Sequence, residues 1–157
     1  MADKPHLDEY KQQVADFYNK RTDYDSSELA YKRAIPLVEL AQLQKGQKIL
    51  DVATGTAIVA IAAAEIVGNE GKVIGVDIAS AFLNQAQQKI EAAGLKNIEL
   101  FEADAENFKF DENSFDAIFC SSAIVLFTDI PAIFYKWYRW LKPGGIVAFH
   151  AWGKLLL

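Results

Sequence analysis

A chain of 157 residues with 52% hydrophobic side chains suits one domain with a real core, and it holds no apolar run long enough to span a bilayer. The net charge of −5, without a dense basic patch, argues against general nucleic-acid binding. The only cysteine, Cys120, leaves no internal disulfide and suits a reducing cytoplasm, while the polar, acidic start "MADKPHLDEYKQQ" does not read as a secretory signal.

In chain order, Leu7, Tyr10, Val14, Phe17 and Tyr18 fall near helical spacing and predict a helix from about Leu7 to Lys20. "RTDYDSSE" breaks it. Ser26 or Ser27 can cap a second helix running to about Leu43, which Pro36 should kink or split. After the turn "QKGQ", residues 48–53 read as a first strand. A helix from about Thr56 to Val67 stops at Gly68, and "KVIGVD" is a second strand ending in Asp77. Ser80 caps a helix through Ala93. "NIELFEAD" is a third strand and "FDAIFCSS" a fourth. Asp129 caps a helix reaching Leu141, with Pro131 tolerated in its first turn. There Ile133, Phe134, Trp137 and Leu141 should face the sheet, leaving Tyr135, Tyr138 and Trp140 outward. "KPGG" then turns into a fifth strand, "IVAFHAW".

Strands alternating with helices of about ten to fifteen residues predict βαβ units. The strands are near-continuous apolar runs, as in sheets covered on both faces. Right-handed crossovers then give an α/β, doubly wound, mostly parallel sheet of about five strands, in which ligands bind beyond the carboxyl ends of the strands.

The residues at those ends carry the functional signal. The first strand supplies Asp51 and then Ala53-Thr54-Gly55-Thr56-Ala57, and the second Asp77-Ile78. The third supplies Asp104-Ala105, the fourth Ser121-Ser122 and the fifth His150-Ala151-Trp152. An acid at the end of the second strand, about 20 residues past the first turn, suits the hydroxyls of a ribose. Asp104 could accept from an exocyclic amine such as that of adenine, or be a solvated loop acid. Asp51 is expected to be buried, and a buried acid must be paired or hydrogen-bonded. It could hold the loop, attract a ligand ammonium, or do both.

"ILDVATGTA", "VIGVDIAS", "LFEADAENFKFDENSFDAIFCSS" and "LKPGGIVAFHAW" resemble the successive motifs of class I S-adenosylmethionine-dependent methyltransferases, in the small-molecule branch near the ubiquinone and menaquinone type. The resemblance runs from about Lys45 to Trp152. It implies a Rossmann-like fold, S-adenosylmethionine as cofactor and a small-molecule acceptor. By position it implies that the loop with Asp51, Ala53, Thr54 and Gly55 receives the methionine end. Asp77 with Ile78 then binds the ribose, Asp104 with Ala105 frames the adenine, and Ser121 lies beside the sulfonium. It divides the chain into an N-terminal helical cap, 1–45, and a cofactor-binding core, 46–157. Family caps of this kind fold over the cofactor as a lid, which makes Tyr18 and Tyr24 candidate contacts able to offer cation–π attraction.

Three departures from the family pattern stand out. Its usual three loop glycines are here Ala53, Gly55 and Ala57. Alanine should be tolerated at the first place. At the third it is expected in helical geometry, adding only a methyl that could crowd the cofactor. Second, Ile124, Val125 and Leu126 stand where many members carry a histidine motif, which leaves His150 as a candidate base near the acceptor and no metal ligands. Third, the family usually adds two strands after the fifth, and their absence suggests two things. One is a homodimer through the open sheet edge or the aromatic helix 129–141. The other is a truncated cofactor-binding core with little or no catalysis of its own. A nicotinamide-dependent oxidoreductase is disfavoured, because "ATGTAI" does not supply the close approach that a pyrophosphate needs.

Overall fold

The computed structural model describes residues 5–151. Helix α1 (Glu9–Asn19) leads through a one-turn helix, Tyr24–Ser26, to α2 (Glu28–Leu40). The core then alternates β1 (Lys48–Val52), α3 (Ile58–Val67), β2 (Lys72–Asp77), α4 (Ser80–Ala92) and β3 (Ile98–Glu102). β4 (Phe115–Ser121), a one-turn helix at Ile124–Leu126, α5 (Ile130–Trp140) and β5 (Leu141–His150) complete it. The sheet order is β3-β2-β1-β4-β5, and every neighbouring pair is parallel. The expected α/β, Rossmann-like sheet of five strands is therefore present. Strand order reverses between β1 and β4, which is where such sheets open a crevice.

The strand alternation sorts the core into two layers. Ile49, Val73, Ala117 and Phe119 face α2, α3 and the buried side of α4, where Ala34, Val38, Ala60, Ala63, Ala86 and Ile90 close the packing. Leu50, Val52, Ile74, Val76, Ile118 and Cys120 face the other way, onto Ile133, Trp137 and Trp140 of α5. Cys120 is fully buried, and burial pushes its thiol well above the ordinary range, so it packs as an apolar side chain.

Several local expectations are corrected. Helix α2 runs unbroken through Pro36, its buried residues Ala34, Leu37 and Val38 packing on the α3 side of the sheet. Tertiary burial outweighs the one lost backbone bond there. Ser80 is the first residue of α4 and not its cap, because the Asp77 carboxylate accepts the Ala79 amide at 2.8 Å in its place. Asp129 does cap α5, accepting from the Ala132 amide at 2.9 Å. Trp140 is buried, edge-on to Phe110, because 133, 137 and 140 continue one helical stripe. Tyr135 and Tyr138 are exposed. β5 begins at Leu141, five positions before the expected Ile146; Leu141 pairs with Phe115, and the register shifts before Ala117 meets Ile146. The "KPGG" segment is thus a bulge within the strand and not a separate turn. Trp152, the expected last residue of that strand, lies outside the described residues.

Candidate functional site

A cleft of about 950 Å³, counted out to its mouth, lies across the carboxyl ends of β1, β2, β3 and β4, beneath α1 and the turn at residues 24–26. Asp51, Ala53, Thr54, Gly55, Asp77, Ile78, Asp104, Ala105, Ser121 and Tyr18, expected from the sequence as cofactor contacts, all line it. Tyr24 lines it as well. His150 does not. It pairs in register with Ser121, and its Nδ1 lies 3.2 Å from the hydroxyl of Ser122, which is itself a cleft residue.

The loop after β1 is built from left-handed backbone. Ala53, Gly55 and Ala57 have φ of 55°, 56° and 65°. Ala57 therefore does not sit in helical geometry as expected. It is the left-handed residue that precedes α3, a conformation that costs an L-residue with a Cβ about 1–2 kcal/mol. Its methyl is fully buried in the α3 layer and does not line the cleft, so it crowds no ligand. The chain tolerates both alanines because the neighbouring groups fix the loop. The Thr54 amide donates to Val76 O at 3.0 Å, and its hydroxyl donates to the Asp51 carboxylate at 2.6 Å. The Gly55 amide donates to the Asp77 carboxylate at 2.8 Å. Gly75 in β2 completes the fit, since a Cβ there would come within 3.0 Å of the Thr54 side chain. Its place inside "VIGVD" is the sequence trace of that close approach.

Three carboxylates stand along this edge in different states. Asp51 is 1% exposed, and burial pushes its carboxyl up to about 7, against the pull of the Thr54 hydroxyl. Burial also raises Asp77, opposed by the amides of Ala79 and Gly55. Asp104 is buried and accepts from three groups. The Lys11 ammonium reaches Oδ1 at 2.8 Å, the Glu106 amide reaches Oδ1 at 3.0 Å, and the Asn107 side chain reaches Oδ2 at 2.8 Å. Among the described residues no cluster of three or more His, Cys, Asp or Glu could hold a metal ion.

The N-terminal segment is fastened over the cleft by several ties, two of which carry ion pairs. Lys11 forms ion pairs with Asp104 and Glu106 at the β3 end. At the β1 end, Asp25 accepts the Thr56 hydroxyl at 2.5 Å and pairs with Lys89 at 2.8 Å, while Lys89 also donates to Thr56 O at 2.8 Å. Between them Tyr18 and Tyr24 lean on Phe82, with ring centroids 5.6 and 5.2 Å apart. Sequence reading missed Lys11, Phe82 and Phe127 as cleft residues. A signal for Lys11 existed: it lies on the face shared by Val14 and Tyr18, seven residues before that tyrosine. A lysine on an apolar stripe asks for a buried partner.

Residues 49–145 match the methyltransferase-domain family. A demethylmenaquinone methyltransferase of Geobacillus stearothermophilus is 36% identical over 136 residues, covering 83% of this chain and 58% of that relative. A crystal structure of a SAM-dependent methyltransferase from Aquifex aeolicus superposes with a TM-score of 0.68 at 21% identity, covering 94% of this chain and 74% of that one. A phosphoethanolamine N-methyltransferase of Haemonchus contortus, solved with phosphoethanolamine and S-adenosylhomocysteine, gives a TM-score of 0.71 at 23% identity, covering 84% and 29%. The chain spans a little over half the length of the demethylmenaquinone relative.

Proposed function

This chain belongs to the class I S-adenosylmethionine-dependent methyltransferase family, and from that premise we propose that its cleft binds S-adenosylmethionine and serves methyl transfer to a small, largely apolar acceptor. The observation that carries the reading is the acid set along one sheet edge: Asp51 beside the left-handed loop, Asp77 after β2 and Asp104 after β3, all lining one cleft. The donor chemistry fits. A sulfonium and an ammonium are cations, a ribose offers two hydroxyl donors and adenine offers an amine, so acceptor-rich walls suit all of them. A pyrophosphate would meet three carboxylates, and the cleft's lysine, Lys11, is already paired with two acids.

When bound, the cofactor supplies a methyl on a positively charged sulfur. The protein's part is to position, to shield and to accept a proton where one must leave. Asp51 and the Gly55 loop would hold the methionine end, Asp77 with Ile78 the ribose, and Asp104 with Ala105 the adenine, while Ser121 flanks the reacting centre. Tyr18 and Tyr24 present aromatic faces that exclude water and favour a cation. Val14, Leu126 and Phe127 give the acceptor side an apolar wall. His150, through the Ser122 hydroxyl, is the one imidazole near that edge among the described residues and our candidate base for an acceptor that must lose a proton.

Residues 1–45 act in this reading as the cap and 46–157 as the cofactor core, working in the cytoplasm without nucleic acid. No helix among the described residues is long and apolar enough to cross a membrane. Exposed Ile146 and Phe149 on edge strand β5, with Tyr135 and Tyr138 on α5, are the surface for a homodimer, which sedimentation at high concentration would reveal as a dimer or refute as a monomer.

Calorimetry tests the cofactor claim. S-adenosylhomocysteine should bind with micromolar affinity, NAD should fail to compete, and Asp77→Ala should abolish most of the binding. NAD binding in its place, or no binding by a folded sample, would refute it.

A further inference from the structure

Lys11 is 4% exposed, and its ammonium is taken up by partners inside the fold. Its three protons have three destinations: Asp104 Oδ1, Glu106, and the face of Phe127, whose centroid is 5.6 Å away. Glu106 is in turn fixed from the other side. It accepts from the Thr128 amide at 3.0 Å, the Thr128 hydroxyl at 2.9 Å and the Asp129 amide at 3.0 Å, at the start of α5. One lysine therefore joins α1 to the loop after β3 and, through Glu106, to the entry to α5, and the other of its two carboxylates, Asp104, frames one end of the cleft.

The hydrogen bonds of Asp104 show what this junction does to it. Oδ1 receives Lys11 and the Glu106 amide, so both of its lone-pair sites are used. Among the described residues Oδ2 receives only the Asn107 side chain, which leaves one site. The carboxylate is turned so that a single acceptor position is left, and Lys11 is the charged group that, with the Glu106 amide, pins the other oxygen. We propose that Lys11 is a positioning residue for ligand specificity: it orients Asp104 so that the remaining lone pair reads an exocyclic amine of the bound nucleoside. This rests on the cofactor reading above. Lys11 touches no reacting atom and acts through Asp104.

The test is a comparison of two probes, S-adenosylhomocysteine and S-inosylhomocysteine, in which a 6-oxo group replaces the 6-amino group. Dissociation constants are measured by calorimetry for the wild type, Lys11→Met, Lys11→Arg and the double variant Lys11→Met/Glu106→Gln. The wild type should prefer the amine by about tenfold or more, the scale of one hydrogen bond to a charged acceptor. Lys11→Met should bring the ratio below about threefold, and Lys11→Arg should restore it, because a guanidinium can pin the same oxygen. If the single variant fails to fold, the double variant removes the cation together with one of its two acids and should show the same loss of discrimination.

Folded variants that keep the wild-type ratio would overturn the assignment. So would a wild type with no preference, or a loss of affinity equal for both probes, which is what a merely structural lysine would produce. A wild type that binds neither probe would bring down the cofactor reading and this inference together, so the two failures are distinguishable.

Discussion

The two ends of the sheet solve the same turning problem with different residues. At the amino end of the strands, positive φ falls on Gly46, Gly68, Gly94 and Gly144, with Gln42 and Asn113 beside them. At the carboxyl end it falls on Ala53, Ala57 and Ser122, with only Gly55 at ease. The buried acids follow the same division, with Asp51 and Asp104 both at the carboxyl end. One end relaxes its turns with glycine. The other keeps strained backbone and desolvated charge, held by hydrogen bonds from Thr54, Gly55 and Lys11. Strain and buried charge persist only where surrounding structure over-determines them, and they gather at ligand sites. The contrast therefore marks the working end of the molecule without reference to any relative.

The sharpest way to break that contrast is to remove an acid from the working end. Asp77→Ala should weaken S-adenosylhomocysteine binding by roughly 100-fold, about 3 kcal/mol, read by calorimetry. An unchanged affinity would make Asp77 a loop tie only.

Asp51 gives a pH signature of its own. Its folded value, about 7, is raised from an ordinary 3.8, so its favourable term is complete below 3.8 and is lost as pH rises to 7. Asp51→Asn should gain stability relative to the wild type across that window, by about 4 kcal/mol at pH 8, in urea titrations. A constant difference between the two proteins would count against a desolvated Asp51.

Glu106 has the opposite sign. Burial alone would raise it, but the Lys11 ammonium and the Asp129 and Thr128 donors bring it from 4.5 down to about 2. Its contribution is present above 4.5 and is lost as pH falls toward 2. Lys11, raised in spite of its burial, contributes below its ordinary 10.5 and loses that contribution above it. Between about pH 4.5 and 2, Glu106→Gln should lose roughly 2 kcal/mol less stability than the wild type.

The smallest effect separates the two ends most cleanly. Ala53→Gly and Ala57→Gly should each raise stability by about 1 kcal/mol, since glycine removes the left-handed penalty. Gly94→Ala at the other end should cost about 1 kcal/mol through backbone conformation alone, because a Cβ there meets nothing within 4 Å.

Much of the fold was legible because apolar runs and breakers alternate so regularly. "KVIGVD" appears as β2 residue for residue, and Asp129 caps α5 as its position suggested. The cleft was legible for a topological reason: in a parallel sheet, every strand end points to one edge. What stayed hidden depended on tertiary context. The left-handed state of Ala57 could not be read from alanine, a residue that favours the ordinary helix. The burial of Lys11 depends on two acids more than 90 positions away, which no local pattern connects. The bulge in β5 lies where the strand follows α5 without a connecting residue and its register against β4 shifts, while the sequence shows only a turn signal.

The most direct test of the central claim is a crystal structure of this chain grown with S-adenosylhomocysteine. We predict density along the carboxyl ends of β1 to β4, with the ribose hydroxyls on Asp77 and the adenine amine on Asp104. Density elsewhere, or a clear cleft at saturating ligand, would contradict it.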